Sequence, residues 1–276
     1  MSGIKKYLMH GLLLAMMTFM APFSLAGEEL PDTMQLRVGG YFLADQSTDL
    51  LVRSNGLGAT INIQDLFNMK EQNRVFRLNG FYRFTPKHSV EFAWYNINNS
   101  STTDGNVAFE WGDENITAKG SLDTHFNTDI YKINYVYSFY HSPEMEAGIA
   151  IGFHVTKIDI GFSGSYEVDN NVSNSTAESI KITAPLPVIG FRFQYNILPE
   201  LSVLYATDFF FITYEQISGA MTDTLVSLDY RFTDHFGAGI GFNSTRMRLR
   251  DKRENDQEIY IQHDVAGGLV YATLTF

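Results

Sequence analysis

"RLNGFYRFTPKHSVEFAWY", residues 77–95, is built from two runs of alternating character on either side of a polar "TPKH". Before the break, Phe76, Leu78, Gly80, Tyr82 and Phe84 hold one parity, and Arg77, Asn79 and Arg83 the other. After it, Val90, Phe92 and Trp94 alternate with Glu91. A period of two in aromatic and β-branched residues, interrupted by a Pro-containing turn, reads as a hairpin. Pairing Phe84 with Val90 sets Glu91 opposite Arg83 and Trp94 opposite Gly80, so one register matches both faces. The hairpin then has a broad aromatic face and an ionised face. Which of the two meets water decides the fold.

The same alternation recurs along the chain. Ten long strands are expected at about 34–54, 73–85, 89–99, 121–140, 145–161, 179–196, 200–215, 221–232, 235–250 and 257–276. Residues 56–63 could add a further strand and the Asp45–Asp49 region could divide the first, which leaves a count of twelve open. A single helical turn is expected over residues 64–69. Connections are tight at "TPKH", "HSPE" (141–144), "LPE" (198–200) and "TDH" (233–235), and long and polar between, as in residues 98–120 and 167–178. Short turns at one end and long loops at the other characterise outer-membrane barrels. At "HSPE" the expected pairs are Phe139 with Met145, Tyr137 with Ala147 and Lys132 with Gly152; at "TDH", Phe232 with Phe236 and Asp229 with Gly239.

The second face answers the question of water. It carries Arg77, Arg83, Lys132, Arg192 and Arg231 with Glu91, Glu146, Asp208 and Asp229, interleaved with Gly148, Gly152, Gly237, Gly239 and Gly241. Mid-strand glycine on a solvated exterior weakens a strand without benefit. Inside a narrow lumen it makes room for long side chains. Near-balanced charges suit an interior, where unpaired charge is costly, and closure leaves no strand edge unsatisfied. The expected fold is an all-β, transmembrane, antiparallel up-and-down barrel of about ten strands, with short periplasmic turns and long outer loops.

Composition agrees. Of 276 residues, 45% are hydrophobic, 14% aromatic and 18% charged, too apolar and aromatic for a disordered chain. Residues 1–26 read as an export signal: Lys5 and Lys6, an apolar run over 7–21, and Ser24-Leu25-Ala26 before the cut. The barrel domain is then 27–276. Losing the two lysines takes the formal charge from −11 to −13, which argues against nucleic acid as a partner. There is no cysteine, which removes thiolate chemistry and cysteine-ligated zinc.

The chain closes on "GGLVYATLTF", residues 267–276, in which Val270, Ala272, Leu274 and Phe276 share one face. A period-two apolar end with a terminal aromatic resembles the C-terminal signal of bacterial outer-membrane β-barrel proteins. The resemblance implies the barrel-assembly machinery as a partner during biogenesis. Residues 77–95 together with "YKINYVYSFY" (131–140) further resemble a poorly characterised, porin-like group of small outer-membrane barrels. That resemblance implies the outer membrane of a Gram-negative bacterium and says little about activity.

Other motifs have plainer explanations. "GAGIGF" (237–242) lacks the helix that a phosphate-cradling loop must open, and its glycines lie on one strand face. "DNNVSNSTAE" (169–178) lacks the central glycine of a calcium loop. No metal site and no cofactor are expected. In "RMRLRDKR" (246–253), Arg246, Arg248 and Arg250 continue the outward parity of Ala238, Ile240 and Phe242. An apolar band about 25 Å tall is crossed by roughly nine to eleven tilted residues, so these arginines would emerge at the outer headgroups. Arginine suits bidentate phosphate contact, which makes lipopolysaccharide a candidate partner. A solvated flank balanced by Asp251, Glu254, Asp256 and Glu258 is the alternative. His125, His154 and His263, with Asp129, Asp159 and Asp264 nearby, keep an outer-membrane hydrolase (a protease or a lipid A-modifying enzyme) in view, but parity separates His263 from Asp264. No catalytic residues are assigned.

The expected molecule is therefore a monomeric structural or interaction protein in outer-membrane lipid, with a lumen plugged by charge. A narrow channel for small solutes or ions is the alternative.

Overall fold

The computed structural model describes residues 32–54, 57–62, 74–111, 114–168, 171–173, 178–214, 216–252 and 258–276. The export signal of residues 1–26, the turn expected at 64–69 and parts of the 167–178 loop lie outside the described residues. The strands are β1 (Met34–Ser54), β2 (Leu57–Asn62), β3 (Val75–Thr85), β4 (His88–Trp111), β5 (Glu114–His141), β6 (Met145–Val168), β7 (Asn171–Ser173), β8 (Glu178–Leu198), β9 (Leu201–Tyr214), β10 (Ile217–Arg231), β11 (Phe236–Lys252) and β12 (Glu258–Thr275). Ten of them form an antiparallel wall, with β12 returning to β1. Reciprocal backbone bonds seal that joint: Met34 N donates to Phe276 O at 2.9 Å, and Phe276 N to Met34 O at 2.8 Å. The remaining two only lengthen the outer ends of their neighbours: β2 pairs β1, and β7 pairs β6. The wall thus has ten strands, and the segment near 56–63 is a hairpin on its rim.

The wall is apolar outside. Phe76, Tyr82, Phe92, Trp94, Ile133, Ile149, Ile151, Phe209, Ile240, Phe242 and Val270 are all exposed, whereas Arg37, Arg77, Arg83, Arg192, Asp208, Asp223 and Asp229 are buried. This is a globular protein turned inside out, and such a surface is stable only against hydrocarbon. The barrel is transmembrane.

Two turns pair differently from the sequence expectation. At "TPKH", Thr85 pairs His88 across a two-residue turn, and a bulge follows between Arg83 and Thr85. Tyr82 therefore faces Val90, Phe81 faces Glu91, and Leu78 faces Trp94; Glu91 does not face Arg83, nor Trp94 Gly80. At "HSPE" a bulge between Ser138 and Tyr140 has the same effect. Tyr140 faces Ala147, Asn134 faces Gly152 and Lys132 faces His154. Beyond each bulge the ladder is offset by two residues from the expectation, which conserves parity and keeps the side chains there on their expected faces. At "TDH", Asp229 does face Gly239.

The polar stretch expected as a loop over 98–120 is also different. Its residues continue as β4 and β5, paired without a break from Asn98↔Asn127 up to Trp111↔Glu114. Once a hairpin ladder is running, each further residue needs no new loop closure, so polar residues extend it beyond the apolar band. The wall is uneven as a result: β5 has 28 residues and β6 has 24, but β9 has 14 and β10 has 15.

The lumen is not uniformly charged. Tyr41, Tyr95, Ile97, Ile130, Val265, Leu269 and Tyr271 form a buried apolar cluster inside it. Arg77 joins this cluster to the charged layer, with its guanidinium 4.7 Å from the Tyr95 ring centroid and 5.5 Å from that of Tyr41.

Candidate functional site

Strands that are not neighbours in the wall can touch only across its axis, and most lumen ion pairs do this. Lys132 on β5 lies 3.0 Å from Asp208 on β9 and 3.0 Å from Asp223 on β10. Arg192 on β8 reaches Glu91 on β4 at 2.8 Å through Nε, and Asp208 at 2.8 Å through Nη2. Its Nη1 donates to the carbonyls of Phe191 and Thr207. Arg83 on β3 holds both oxygens of Glu146 on β6, at 3.0 and 2.8 Å. Arg77 on β3 donates to Asn243 Oδ1 on β11 at 2.6 Å, and Asn243 Nδ2 donates onward to Asp223 at 3.2 Å. Thr245 donates to the second oxygen of Asp223 at 2.8 Å.

These bonds make one chain, Glu91–Arg192–Asp208–Lys132–Asp223–Asn243–Arg77, that ties β4, β8, β9, β5, β10, β11 and β3 together. Each carboxylate has a cation, Lys132 and Arg192 each hold two carboxylates, and Arg77 ends the chain on the neutral Asn243 amide. Charged groups removed from water are retained at tolerable cost only when satisfied in this way. Small residues make the space. A Cβ on Gly190 would fall 2.7 Å from Arg192 Nη1 and would also collide with the Asp208 carboxylate.

Of the nine charges expected in the lumen, the structure joins Glu91, Arg192, Asp208, Lys132 and Arg77 in that chain. It sets Arg83 and Glu146 together nearer the turns, where Glu146 also meets His141 at 3.4 Å. Asp229 pairs with Arg37 at 3.5 Å, and Ser227 donates to its other oxygen at 3.2 Å. Arg231 lies at the rim, half-exposed, and pairs with Asp32. Sequence reasoning missed Arg37, Asp223 and Asn243. Asp223 was legible, since it shares the parity of Asp229 on one strand. Arg37 lies on β1, where the alternation is weakest.

Outside the barrel, Arg246, Arg248 and Arg250 are exposed on the outward face of β11. Arg246 pairs with Asp264 at 3.2 Å, and Arg250 with Glu258 at 3.0 Å while lying over the Tyr260 ring. Arg248 has no ion-pair partner among the described residues. Glu254 and Asp256 lie outside those residues. Along β12 and the residue after it, Val270, Ala272 and Phe276 are exposed and Leu274 half-buried, all of outward parity.

The histidines are dispersed. His125 faces outward, 3.5 Å from Asp159, whose other oxygen meets Lys181 at 3.4 Å. His154 is in the lumen, 3.9 Å from Asp223. His263 is buried against Thr48 at 2.9 Å, whereas Asp264 points away to Arg246. Asp129 accepts from Asn96 at 3.1 Å.

No family model matches the chain, and neither does any curated protein. Among solved structures, it is similar to the outer-membrane protease OmpT of Escherichia coli, with 14% identity and a TM-score of 0.58 over 90% of this chain and 99% of that one. It also aligns with OprG of Pseudomonas aeruginosa (12% identity, TM-score 0.35, 92% and 99% covered) and with the toluene transporter TodX of Pseudomonas putida (8%, 0.33, 89% and 91%). The fold is that of the outer-membrane β-barrels.

Proposed function

We propose that this chain is an integral protein of the outer membrane of a Gram-negative bacterium. In this reading it acts as a non-catalytic structural and interaction element, with a lumen closed by its own side chains. The observation that carries it is the cross-axis chain centred on Lys132, in which Asp208 and Asp223 from two strands share one ammonium contributed from the far wall. A conducting pore leaves lining charges free to exchange ions; here they are engaged with each other. Interaction then falls to the outer surface, where Arg246, Arg248 and Arg250 leave the apolar band at headgroup level and would meet lipopolysaccharide phosphates. The exposed period-two face that ends at Phe276 supports recognition by the barrel-assembly machinery. Nothing in this role requires a second copy, so the chain is expected to work as a monomer.

Planar-bilayer recording tests the closed lumen. Wild-type protein, shown by recovery to be inserted, is expected to give no unitary current. Stable currents altered by Arg83→Ala or Glu91→Ala would establish the narrow channel instead. Release of acyl chains or cleaved peptide, lost on His154→Ala or His263→Ala, would establish a hydrolase.

A further inference from the structure

The charged layer divides the lumen into two unlike halves. Beyond Lys132, Asp208, Asp223 and Asn243 on their own strands, the next inward side chains toward the outer end are Ile130, Phe210, Met221 and Thr245, and all are buried. Toward the tight turns the inward side chains are partly open instead. Leu204, Ala206 and Ser202 on β9, Gln194 on β8, and Phe81 and Glu91 on β3 and β4 are all part-exposed. A side chain of inward parity on a closed wall can be exposed only to space within the lumen. These six therefore line a slot that crosses the axis from β3–β4 to β8–β9 and ends blindly at the charged layer. Its β12 flank is filled, with Tyr271, Thr273 and Thr275 buried.

The charges bordering this slot are not equally open. The Glu91 side chain is 30% exposed and that of its partner Arg192 only 8%. For Glu146 and Arg83 the values are 20% and 7%. In both pairs the carboxylate is the open member and the guanidinium is packed into the wall. Every nitrogen of Arg192 is also engaged: Nε on Glu91, Nη1 on two carbonyls and Nη2 on Asp208. Glu91 gives Arg192 only Oε2, and its Oε1 has no partner among the described residues. Gln194, the next inward residue after Arg192 on β8, donates Nε2 to Asn196 at 3.2 Å, which leaves its carbonyl oxygen as a second acceptor. Each acceptor has an apolar cross-strand neighbour, Phe81 beside Glu91 and Leu204 beside Gln194.

We propose that this slot is a blind site, open to the periplasm, for a small alkylammonium solute. Acceptors whose neighbouring donors are already engaged select a donor-rich cation, and an ammonium offers three N–H groups and no acceptor. Phe81 and Leu204 cover the methylene carbons that follow it. An anion would meet two open carboxylates and no free donor. A metal ion would lack ligands, since no group of three metal-binding side chains gathers among the described residues.

The inference rests on the reading of a closed lumen in an outer-membrane barrel, and the test separates the two. The chain has no cysteine, so single cysteines report access without background. Ala206→Cys places a thiol in the slot, and Thr128→Cys places one in the packed outer half. In the folded barrel, iodoacetamide should alkylate Ala206→Cys and spare Thr128→Cys. Pentylammonium should slow the reaction at Ala206→Cys in a saturable way, whereas pentanol and pentanoate should not. Adding Glu91→Gln should abolish that protection, and Gln194→Leu should weaken it should Glu91→Gln fail to fold. An unreactive Ala206→Cys would overturn the slot. Protection equal with pentanol, or none with the amine, would overturn the ligand class. Alkylation of Thr128→Cys as fast as Ala206→Cys would instead overturn the closed lumen beneath both.

Discussion

Lys132 on β5 and Asp223 on β10 meet at 3.0 Å although no ladder joins their strands. The same ammonium lies 3.0 Å from Asp208, so one cation holds two carboxylates from neighbouring strands β9 and β10. Lys132→Met would leave those carboxylates side by side with only Arg192 and neutral donors. Breaking a buried pair in this way costs about 3–5 kcal/mol. Urea unfolding of the refolded barrel in detergent should show a loss of that order, and Lys132→Met/Asp223→Asn should recover part of it. A single variant as stable as wild type would mean that the layer is solvated and not structural.

Gly239 lies under Tyr271, where an added Cβ would fall 2.5 Å from two ring carbons. The Arg37 guanidinium also lies over this ring, 6.0 Å from its centroid. Gly239→Ala should therefore cost about 1–3 kcal/mol by overpacking. Gly239→Ala/Tyr271→Val should be closer to wild type than Gly239→Ala alone, and a double-mutant cycle on unfolding midpoints measures that coupling.

The three outward arginines are not equivalent. Arg246 and Arg250 already hold Asp264 and Glu258, so a lipid phosphate would have to compete with a neighbouring carboxylate. Arg248→Ala should lower co-purifying lipopolysaccharide more than Arg246→Ala, and the triple alanine variant should lower it most. Phosphate assay of the purified barrel at two salt concentrations checks the order and its screening. Equal retention by all variants would remove the arginines from lipid binding.

Phe276 has two separable roles. Its backbone closes the barrel against Met34, and its ring stacks on His235 with centroids 5.8 Å apart and faces outward. Phe276→Ser keeps the backbone bonds. It should reduce the amount of folded barrel reaching the outer membrane in cells while shifting the unfolding midpoint of refolded protein only slightly. Heat-modified gel mobility of cell envelopes reads the first quantity, and urea titration the second.

The strands and their faces were legible because alternation in a lipid-facing wall is a strong, local signal. Phe76, Tyr82 and Trp94 against Arg77 and Arg83 needed no knowledge of distant residues. Register was less legible: the bulges beside Arg83 and Ser138 shift each ladder without breaking the alternation that reveals the strand. Partners across the axis were not legible at all. Arg83 and Glu91 share a hairpin and both face the lumen, yet Arg83 takes Glu146 and Glu91 takes Arg192. Those choices depend on barrel closure and strand stagger, which set the height of each side chain.

The central claim is that apolar side chains coat the barrel and ionised ones fill its axis, and a nitroxide scan along β11 from Phe236 to Arg250 tests it most directly. In lipid bilayers, labels at 236, 238, 240 and 242 should be accessible to oxygen and shielded from a polar nickel reagent. Labels at 237, 239, 241 and 243 should be shielded from both, and at 246, 248 and 250 the outward positions should switch to nickel access. Nickel access at Ile240 and Phe242 equal to that at Arg248 would place this face in water and contradict the account.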